Sequence, residues 1–308
     1  MAFKTPVEGY KGKVVEVAVG KGKRALTIGG ETVLAFNQGF DEGQFPHLPK
    51  IALEVWDMEP QNWAPWVLEP YRAVASDPVA WAKRCEELGA DLVFLYLISC
   101  DPNEQDTPPA QAAELVRRVF EAVSIPLIVY ATGNEAKDPA VLAKVAAALS
   151  GENLLLGPVI KEDYEPIARA AKEHGHCVVA QAPVDINLQK ELNVKLSRIL
   201  SREQIVLDPL ASALGYGIEY CFSVMERTKH VGIQFQDQMM QMPIMANFAG
   251  DVWKNKEPRE QEELGMAWEE VTAITYLLAG ADCLVMRHPE VFKLVKQMIH
   301  RPVQGTMA

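Results

Sequence analysis

The sequence predicts an α/β protein, a (β/α)8 TIM barrel with an N-terminal β-hairpin extension. Eight apolar segments recur along the chain, and their starts lie 24 to 41 residues apart, which is the spacing of a strand, a helix and the connecting turns. Each segment is apolar throughout instead of alternating, as expected of parallel strands that are covered on both faces. An open, doubly wound sheet is the alternative, but eight evenly spaced units favour a closed barrel.

The predicted strands and helices alternate along the chain. The eight strands begin at Ile51, Leu92, Pro126, Asn153, Cys177, Ile205, Met242 and Cys283. The segments between them are predicted to be helices, because the first four begin at an acid or a proline and several end near glycine. These helices begin at Asp77, Pro108, Asp138 and Asp163, and the later ones cover residues 186–200, 218–229, 262–280 and 290–299.

Residues 1–50 are predicted to form the extension and residues 51–308 the barrel. In the extension, "KGKVVEVAVGKGKRALTIGGET" alternates apolar and polar residues on both sides of a Gly-Lys-Gly-Lys turn, which predicts the hairpin. Its glycines do not fit a phosphate-binding loop, since no buried strand precedes them and no helix follows. Residues 59–76 are predicted as an ordered insert, whose aromatic side chains either form an interface or pack across the barrel mouth.

The chain is acidic. Its 30 lysines and arginines stand against 41 aspartates and glutamates, a net charge of −11, which argues against nucleic acid or an anionic membrane as the main partner. No apolar run reaches the roughly 18 to 20 residues of a membrane span, and the N-terminus lacks a secretory pattern. We therefore expect a cytoplasmic protein.

The cysteines are dispersed through apolar segments. They are Cys85, Cys100, Cys177, Cys221 and Cys283. This pattern predicts reduced, buried thiols instead of a disulfide framework. There is no Cys-x-x-Cys motif, and no cluster of cysteine and histidine has the spacing of a metal site, so we expect no iron–sulfur cluster or metal bound by local ligands.

Polar residues follow the carboxyl ends of the predicted strands, where TIM barrels place their sites. The candidate ligand-binding residues are Asp57, Ser99, Thr132, Gly133, Asn134, Gln181, Asp185, Asn187, Asp208, Gly215, Tyr216, Asn247, Arg287 and His288. Most carry amides, hydroxyls or acids, which match the carboxamides of a ligand better than a phosphate ester. Asp101, Asn134 and Asp185 could instead cap helices.

Two glycines flank a tyrosine after the sixth strand. Gly215 and Gly217 allow a close approach of the backbone, and Tyr216 offers a flat ring with a polar tip, so this segment could cover a planar ligand. The alternative is a tight turn into the next helix.

Residues suited to catalysis are few. Lys161 could form a Schiff base, but the acids that follow it would keep its ammonium charged. His288 could act as an acid or base with Asp57 or Asp208, or it could form a turn with Pro289 at the start of the last helix.

Four segments together resemble one known family. They are "PVDINLQKELN" at 183–193, "LDPLASALGYGIEYCFSVMERTK" at 207–229, "MPIMANFAGDVWKNKE" at 242–257 and "WEEVTAITYLLAGADCLVMRHPE" at 268–290. The chain resembles, over essentially its full length, the small subunits of corrinoid iron–sulfur proteins, which are also called the delta subunits of acetyl-CoA decarbonylase/synthase.

The resemblance implies a methyl-carrier subunit without independent catalysis. It implies a cobalt-containing corrinoid of the cobalamin type, held between the barrel mouth and a large subunit that bears a 4Fe-4S cluster, and no iron–sulfur cluster in this chain. The implied partners are that subunit, a separate methyltransferase that uses methyltetrahydrofolate, and carbon monoxide dehydrogenase/acetyl-CoA synthase of the reductive acetyl-CoA pathway. The Asp-x-His-x-x-Gly pattern of many corrinoid proteins is missing, so no residue of this chain is expected to ligate cobalt.

A pterin-dependent methyltransferase built on the same barrel is the alternative function. It would bind the pterin ring through Asp57, Asn187 or Asp208, and Asn247. A third possibility is an aldolase that uses Lys161.

Overall fold

The computed structural model describes residues 7–37 and 42–300 and contains one two-stranded and one eight-stranded sheet. The strands β1 (Glu16–Val19) and β2 (Leu26–Gly29) form the predicted antiparallel hairpin. The barrel strands are β3 (Lys50–Trp56), β4 (Leu92–Tyr96), β5 (Leu127–Tyr130), β6 (Leu155–Val159), β7 (Cys177–Gln181), β8 (Ile205–Asp208), β9 (Met245–Asn247) and β10 (Cys283–Met286). All eight predicted strands are therefore present.

The eight strands are parallel and form a nearly closed barrel. Their order is β8-β7-β6-β5-β4-β3-β10-β9. The two outer strands meet through one parallel bridge between Leu207 and Ile244, next to which the Leu207 amide donates to the carbonyl of Pro243 at 2.8 Å. The predicted TIM barrel is confirmed, and the seam between β8 and β9 is its weakest junction.

Helices surround the barrel. They are α1 (Pro65–Leu68), α2 (Pro78–Glu87), α3 (Pro109–Ala122), α4 (Asp138–Ala148), α5 (Tyr164–His174), α6 (Ile186–Leu196), α7 (Ile218–Lys229), α8 (Ala249–Trp253), α9 (Lys256–Glu260), α10 (Glu262–Ala279) and α11 (Pro289–Ile299). The eight predicted helices correspond to α2 to α7, α10 and α11. The short helices α1, α8 and α9 were not predicted, since five residues or fewer show no clear periodicity. No helix in the described ranges is both long and apolar enough to cross a membrane.

The barrel strands are apolar throughout because both of their faces are packed, one in the barrel interior and one against the helices. Side chains such as Phe94, Ile128 and Val285 fill the barrel interior, whereas Leu53 and Val129 pack outward against the helices. Every strand thus has two apolar faces, which produces the unbroken hydrophobic runs in the sequence. The five cysteines are free and buried, as predicted.

The hairpin covers the N-terminal end of the barrel. Val17, Val19 and Ile28 belong to the same apolar cluster as the barrel interior. The side-chain amide of Asn153, just before β6, donates to the carbonyl of Ala18 at 2.8 Å. The division into an extension and a barrel as separate domains stays a prediction, but the two parts share one apolar cluster.

A buried charge cluster fixes the extension to the barrel. Lys229, at the end of α7, pairs with Glu31 and Asp282, and all three side chains are at most 4% exposed. Asp282 also accepts the Ile244 amide at 2.6 Å. Burial, together with the charge of Glu31, raises the pKa of Asp282 to about 7. Although burial opposes the charge of Lys229, its two acidic partners raise its pKa.

Gly265 lets α10 pass close to the preceding helices. A Cβ at this position would collide with the indole of Trp253 and would lie 2.8 Å from the backbone oxygen of Pro258. We therefore expect Gly265→Ala to lower the free energy of unfolding by about 1 to 3 kcal/mol in a denaturant titration. Ala267→Ser at a neighbouring exposed position should change it by less than about 0.5 kcal/mol. Equal stabilities of the two variants would contradict the close approach.

Candidate functional site

A polar cavity of about 280 Å³ opens at the carboxyl ends of the barrel strands. Its lining includes five of the predicted residues, namely Thr132, Gly133, Gln181, Asn247 and Arg287. It also includes residues that were not predicted: Glu54, Phe94, Tyr96, Tyr130, Ala131, Pro158, Leu210, Gly250 and Asp251. We call this space the mouth cavity.

Aromatic rings line the inner part of the mouth cavity. Phe94 and Tyr130 lie 4.9 Å apart between ring centroids, and Tyr96 contacts both rings edge to face at 6.2 and 6.3 Å. These residues come from the adjacent strands β4 and β5. Such contacts hold the rings in fixed positions, which gives the cavity a rigid apolar wall.

A buried hydrogen-bond network orients Gln181. The Tyr130 hydroxyl donates to Asp208 at 2.7 Å, and the Gln181 amide donates to Tyr130 and Asp208 at 2.7 and 3.1 Å. The backbone amide of Leu210 donates to the other carboxylate oxygen. Burial raises the pKa of Asp208, while these donors oppose that rise. Asp208 therefore supports Gln181 from below and does not line the cavity.

Leu210 lies at the rim of the mouth cavity in a strained conformation. It has a φ of 60°, which is unusual for a leucine. Its side chain is 40% exposed, so an apolar group faces solvent beside a polar site. Strained residues tend to persist where the surrounding structure fixes them for a function.

A fixed ion pair of Arg287 and Glu54 lines the mouth cavity. The guanidinium of Arg287 forms two hydrogen bonds of 2.8 Å with Glu54, and both side chains are less than 10% exposed. The guanidinium also lies 4.4 Å from the ring centroid of Trp63, which belongs to the 59–76 insert. Trp63 and Tyr71 of that insert are buried, so the insert packs across this side of the barrel.

Glu269 on α10 holds the backbone that carries Arg287. Its carboxylate accepts the amides of Arg287 and His288 at 2.7 and 3.2 Å, and the indole of Trp253 at 3.0 Å. Burial raises the pKa of Glu269 to about 7 despite these donors. The Tyr71 hydroxyl donates to the carbonyl of Arg287 at 2.9 Å. Arg287 is therefore fixed at its backbone and at its side chain.

Two other acids hold neighbouring strand ends. Asp138 accepts the Thr132 hydroxyl at 3.0 Å and the Gly133 amide at 2.6 Å. Asp57 accepts both the amide and the hydroxyl of Ser99 at 2.9 and 2.5 Å. Burial raises the pKa of Asp57 to about 6. Asp57 and Ser99 thus bind each other instead of lining the cavity.

Several polar groups of the mouth cavity remain available to a ligand. The side chain of Asn247 forms no hydrogen bond with any other residue that the structure describes, and the same is true of the Gln181 carbonyl oxygen and the Tyr96 hydroxyl. These three groups comprise an amide, an amide oxygen and a hydroxyl.

The remaining predicted residues lie outside the cavity. Asp185 accepts the amides of Asn187 and Leu188 and caps α6, as the capping alternative predicted. Asn134 accepts two amides of the turn before α4 and is not the cap of that helix. Asn187 is exposed on α6. Tyr216 contacts α9 and α10, and Gly215 adjoins Trp268.

The catalytic alternatives find no supporting geometry. Lys161 borders a largely apolar cavity of about 350 Å³, but it is 43% exposed and its ammonium pairs with Glu191 at 2.9 Å, so it is not desolvated as a Schiff-base lysine is. The His288 ring stacks on Trp253, and its buried Nδ1 has no hydrogen-bond partner among the described residues. Burial lowers the pKa of His288. His288 thus pairs with neither Asp57 nor Asp208.

Comparison with known proteins assigns the chain to a family. The family model described as CO dehydrogenase/acetyl-CoA synthase delta subunit matches residues 16–304. The chain belongs to this family. The acetyl-CoA decarbonylase/synthase complex subunit delta of Archaeoglobus fulgidus is 39% identical to it, over 97% of this chain and 70% of that protein. The delta subunit of Methanothermobacter thermautotrophicus is 35% identical, over 96% of this chain and 77% of that protein.

Solved structures with a similar fold share the barrel of this delta-family chain. A dihydropteroate synthase from Xanthomonas albilineans, in complex with indole-2-carboxylic acid and 6-chloroguanine, superposes with a TM-score of 0.59 at 15% identity, covering 89% of this chain and 94% of that one. The same enzyme in complex with 7,8-dihydropteroate gives a TM-score of 0.56 at 16% identity, covering 84% and 96%. At such identities the likeness concerns the fold alone.

The acids that stabilise this delta-family barrel predict an unusual pH dependence. The pKa of Glu269 is about 7 in the folded chain, against an ordinary value of 4.5. Between these values the folded chain retains a proton that the unfolded chain has released, so the free energy of unfolding should fall as the pH rises. One such group contributes a slope of at most about 1.4 kcal/mol per pH unit. In denaturant titrations, Glu269→Gln should show a shallower slope than the wild type, and an unchanged slope would contradict this assignment.

Proposed function

We propose that this delta-family chain is the small subunit of a two-subunit corrinoid iron–sulfur protein. In this proposal a large subunit bears the 4Fe-4S cluster, and the assembled protein carries a methyl group from methyltetrahydrofolate, by way of a separate methyltransferase, to acetyl-CoA synthase. The observation that carries the proposal is the match of residues 16–304 to the delta-subunit family. The chemistry of the mouth cavity supports it.

The groups available in the mouth cavity fit the edge of a corrinoid. That edge carries carboxamide arms, each with donors and an acceptor. Asn247, the Gln181 carbonyl oxygen and the Tyr96 hydroxyl offer complementary donors and acceptors without partners of their own among the described residues. A corrin ring exceeds a cavity of about 280 Å³, so it would lie against the rim while the arms entered.

No metal ligand is required from this chain in the proposal. Across residues 7–37 and 42–300, no group of three or more histidine, cysteine, aspartate or glutamate side chains is placed to hold a metal ion. When bound, the corrinoid supplies the cobalt atom that carries the methyl group. The chain's own part is then to position the corrinoid and to cover it.

Three features of the mouth cavity suit that part. The rings of Phe94, Tyr96 and Tyr130 give one side of the cavity a largely apolar surface. Leu210 presents an apolar group at the rim. Arg287 is fixed through Glu54 and contributes a donor without free movement. Rigid groups of this kind lose little entropy on binding.

The pterin-dependent methyltransferase receives less support from the geometry. Of the residues that it would use, Asn247 lines the mouth cavity, whereas Asp57, Asn187 and Asp208 do not. Binding of methyltetrahydrofolate to the purified chain, without its partner, would favour that alternative.

Substitutions at the cavity test the proposal. The assembled two-subunit protein should lose corrinoid at least about tenfold faster when Asn247 and Gln181 are both replaced by leucine, since the arms lose their partners and meet apolar groups. Asn187→Leu, an exposed change outside the cavity, is the matched control and should retain corrinoid as the wild type does. The measurement is cobalt per complex after timed dialysis. Equal retention by all variants would contradict the assignment of the cavity.

A further inference from the structure

A partly exposed apolar stripe runs along α10. Trp268, Val271, Thr275 and Leu278 follow one another at intervals of three and four residues, so they share one face of the helix. Val271 and Leu278 are 43% and 45% exposed. The Thr275 hydroxyl donates to the Val271 carbonyl of its own helix at 2.7 Å, which leaves it no need for a water partner. We call these four residues the α10 stripe. Its Trp268 is half-buried and also packs against the core, where α10 buries a further set of residues.

Aromatic side chains extend the α10 stripe toward α7. The ring of Tyr216 lies 6.0 Å from that of Trp268, and Tyr216 and Tyr220 are 51% and 67% exposed. At the other end, Leu278 and the 69% exposed Phe36 line one shallow cavity. Exposed tyrosines next to a partly exposed tryptophan and aliphatic side chains are typical of protein interfaces.

Acids without basic partners border this surface. Glu219 and Glu270 directly precede two of its exposed residues in sequence, and Glu257 accepts a hydrogen bond from the Tyr216 hydroxyl at 3.3 Å. None of the three acids forms an ion pair within the part of the chain that the structure describes. The cations of α7 are Arg227, two turns beyond Tyr220, and Lys229, which is buried in its pairs with Glu31 and Asp282. Lys256, which precedes Glu257, pairs with Glu260 at 3.8 Å.

Two other helices pair outward charges within the helix. On α3, Arg117 pairs with Glu114 and Glu121, and on α11, Lys293 pairs with Glu290. Ion pairs between neighbouring turns are the usual state of a solvated helix face. The surface of α7 and α10 instead combines an apolar centre with unpaired acids, which is the complement of an apolar surface with basic residues at its edge.

We propose that this surface, which we call the α7/α10 face, is the docking site of a different polypeptide with an apolar centre and lysine or arginine at its rim. The inference rests on the proposed function, under which that polypeptide is the large subunit. A second copy of this chain fits poorly, because a symmetric contact would bring the same acids together between two molecules that each carry a net charge of −11.

Two substitutions of matched exposure test the α7/α10 face. Leu278 on α10 and Leu294 on α11 are both 45% exposed. Calorimetric titration with the purified large subunit should show Leu278→Arg binding at least about tenfold more weakly than the wild type, while Leu294→Arg stays within about twofold. Glu270→Lys should reduce the association rate and its dependence on salt. Thermal melting of each variant checks that the fold is retained.

The outcomes separate this inference from the proposed function. Wild-type binding that neither Leu278→Arg nor Glu270→Lys weakens would overturn the α7/α10 face and leave the proposed function in place. A chain that dimerises alone, through a contact that Leu278→Arg breaks, would identify a second copy as the occupant and overturn the inference. A wild type that fails to bind the large subunit would contradict the proposed function and the inference together.

Discussion

Replacing Lys229 with methionine should destabilise the protein by about 3 to 5 kcal/mol. The variant leaves Glu31 and Asp282 buried next to each other without a cation, and each is at most 4% exposed. The pKa of Asp282 already lies at about 7 in the presence of Lys229, so removal of the Lys229 ammonium should raise that pKa further. A denaturant titration at pH 8, where the unpaired acids are charged in the unfolded chain, should show the full loss.

The contribution of charge to the Lys229 effect can be isolated. The triple variant Lys229→Met, Glu31→Gln, Asp282→Asn replaces the charges with neutral groups and should recover a large part of the stability. Limited proteolysis should also cut the N-terminal extension of the single variant sooner, because Glu31 follows the hairpin and anchors it to α7. A single variant as stable as the wild type at pH 8 would show that the cluster is not a structural link.

Replacing Arg287 with methionine should also cost about 3 to 5 kcal/mol. Glu54, which is 2% exposed in the middle of β3, would lose both of its charge-assisted hydrogen bonds. The cation–π contact between the guanidinium of Arg287 and the ring of Trp63 would also be lost. Thermal melting at neutral pH measures the loss.

Arg287→Lys and a compensated variant serve as controls. A lysine keeps the charge but cannot form two parallel hydrogen bonds, so it should restore only part of the stability. The pair Glu54→Leu, Arg287→Met removes both charges and should be more stable than Arg287→Met alone. If the pair were the less stable of the two, the buried Glu54 carboxylate would not be the cause of the loss.

The fold could be predicted because each barrel strand has a recognisable local sequence pattern. A strand covered on both faces is apolar throughout, and segments such as "LVFLYLIS" at 92–99 show this without reference to the rest of the chain. No local sequence pattern marks the bridge between Leu207 and Ile244 that closes the barrel. Closure was inferred from the number of units, and the structure confirms it.

The site was harder to predict than the fold, because its contacts join residues that are far apart in sequence. Tyr130 and Asp208 are 78 residues apart in sequence, and Arg287 and Glu54 are 233 apart. Residues at the strand exits were found, but their partners were not. One signal was missed: Glu54 is an acid inside the apolar segment "IALEVW", which predicts a buried partner of opposite charge.

The α7/α10 face was hidden for another reason. The α10 stripe and the buried side of α10 are both largely apolar, so the sequence predicts a buried helix. It does not reveal that the α10 stripe faces outward. Only the position of α7 and the exposures of Val271 and Leu278 distinguish the α10 stripe from the buried side of the helix.

The most direct test of the proposed function compares the large subunit with and without this chain. Both preparations are purified after expression in the presence of a corrinoid, and cobalt content and methyl transfer from methyltetrahydrofolate, with the methyltransferase added, are measured. The proposal predicts that the complex retains corrinoid and accepts the methyl group, whereas the large subunit alone loses most of both properties. Equal cobalt content and equal methyl transfer in the two preparations would contradict it.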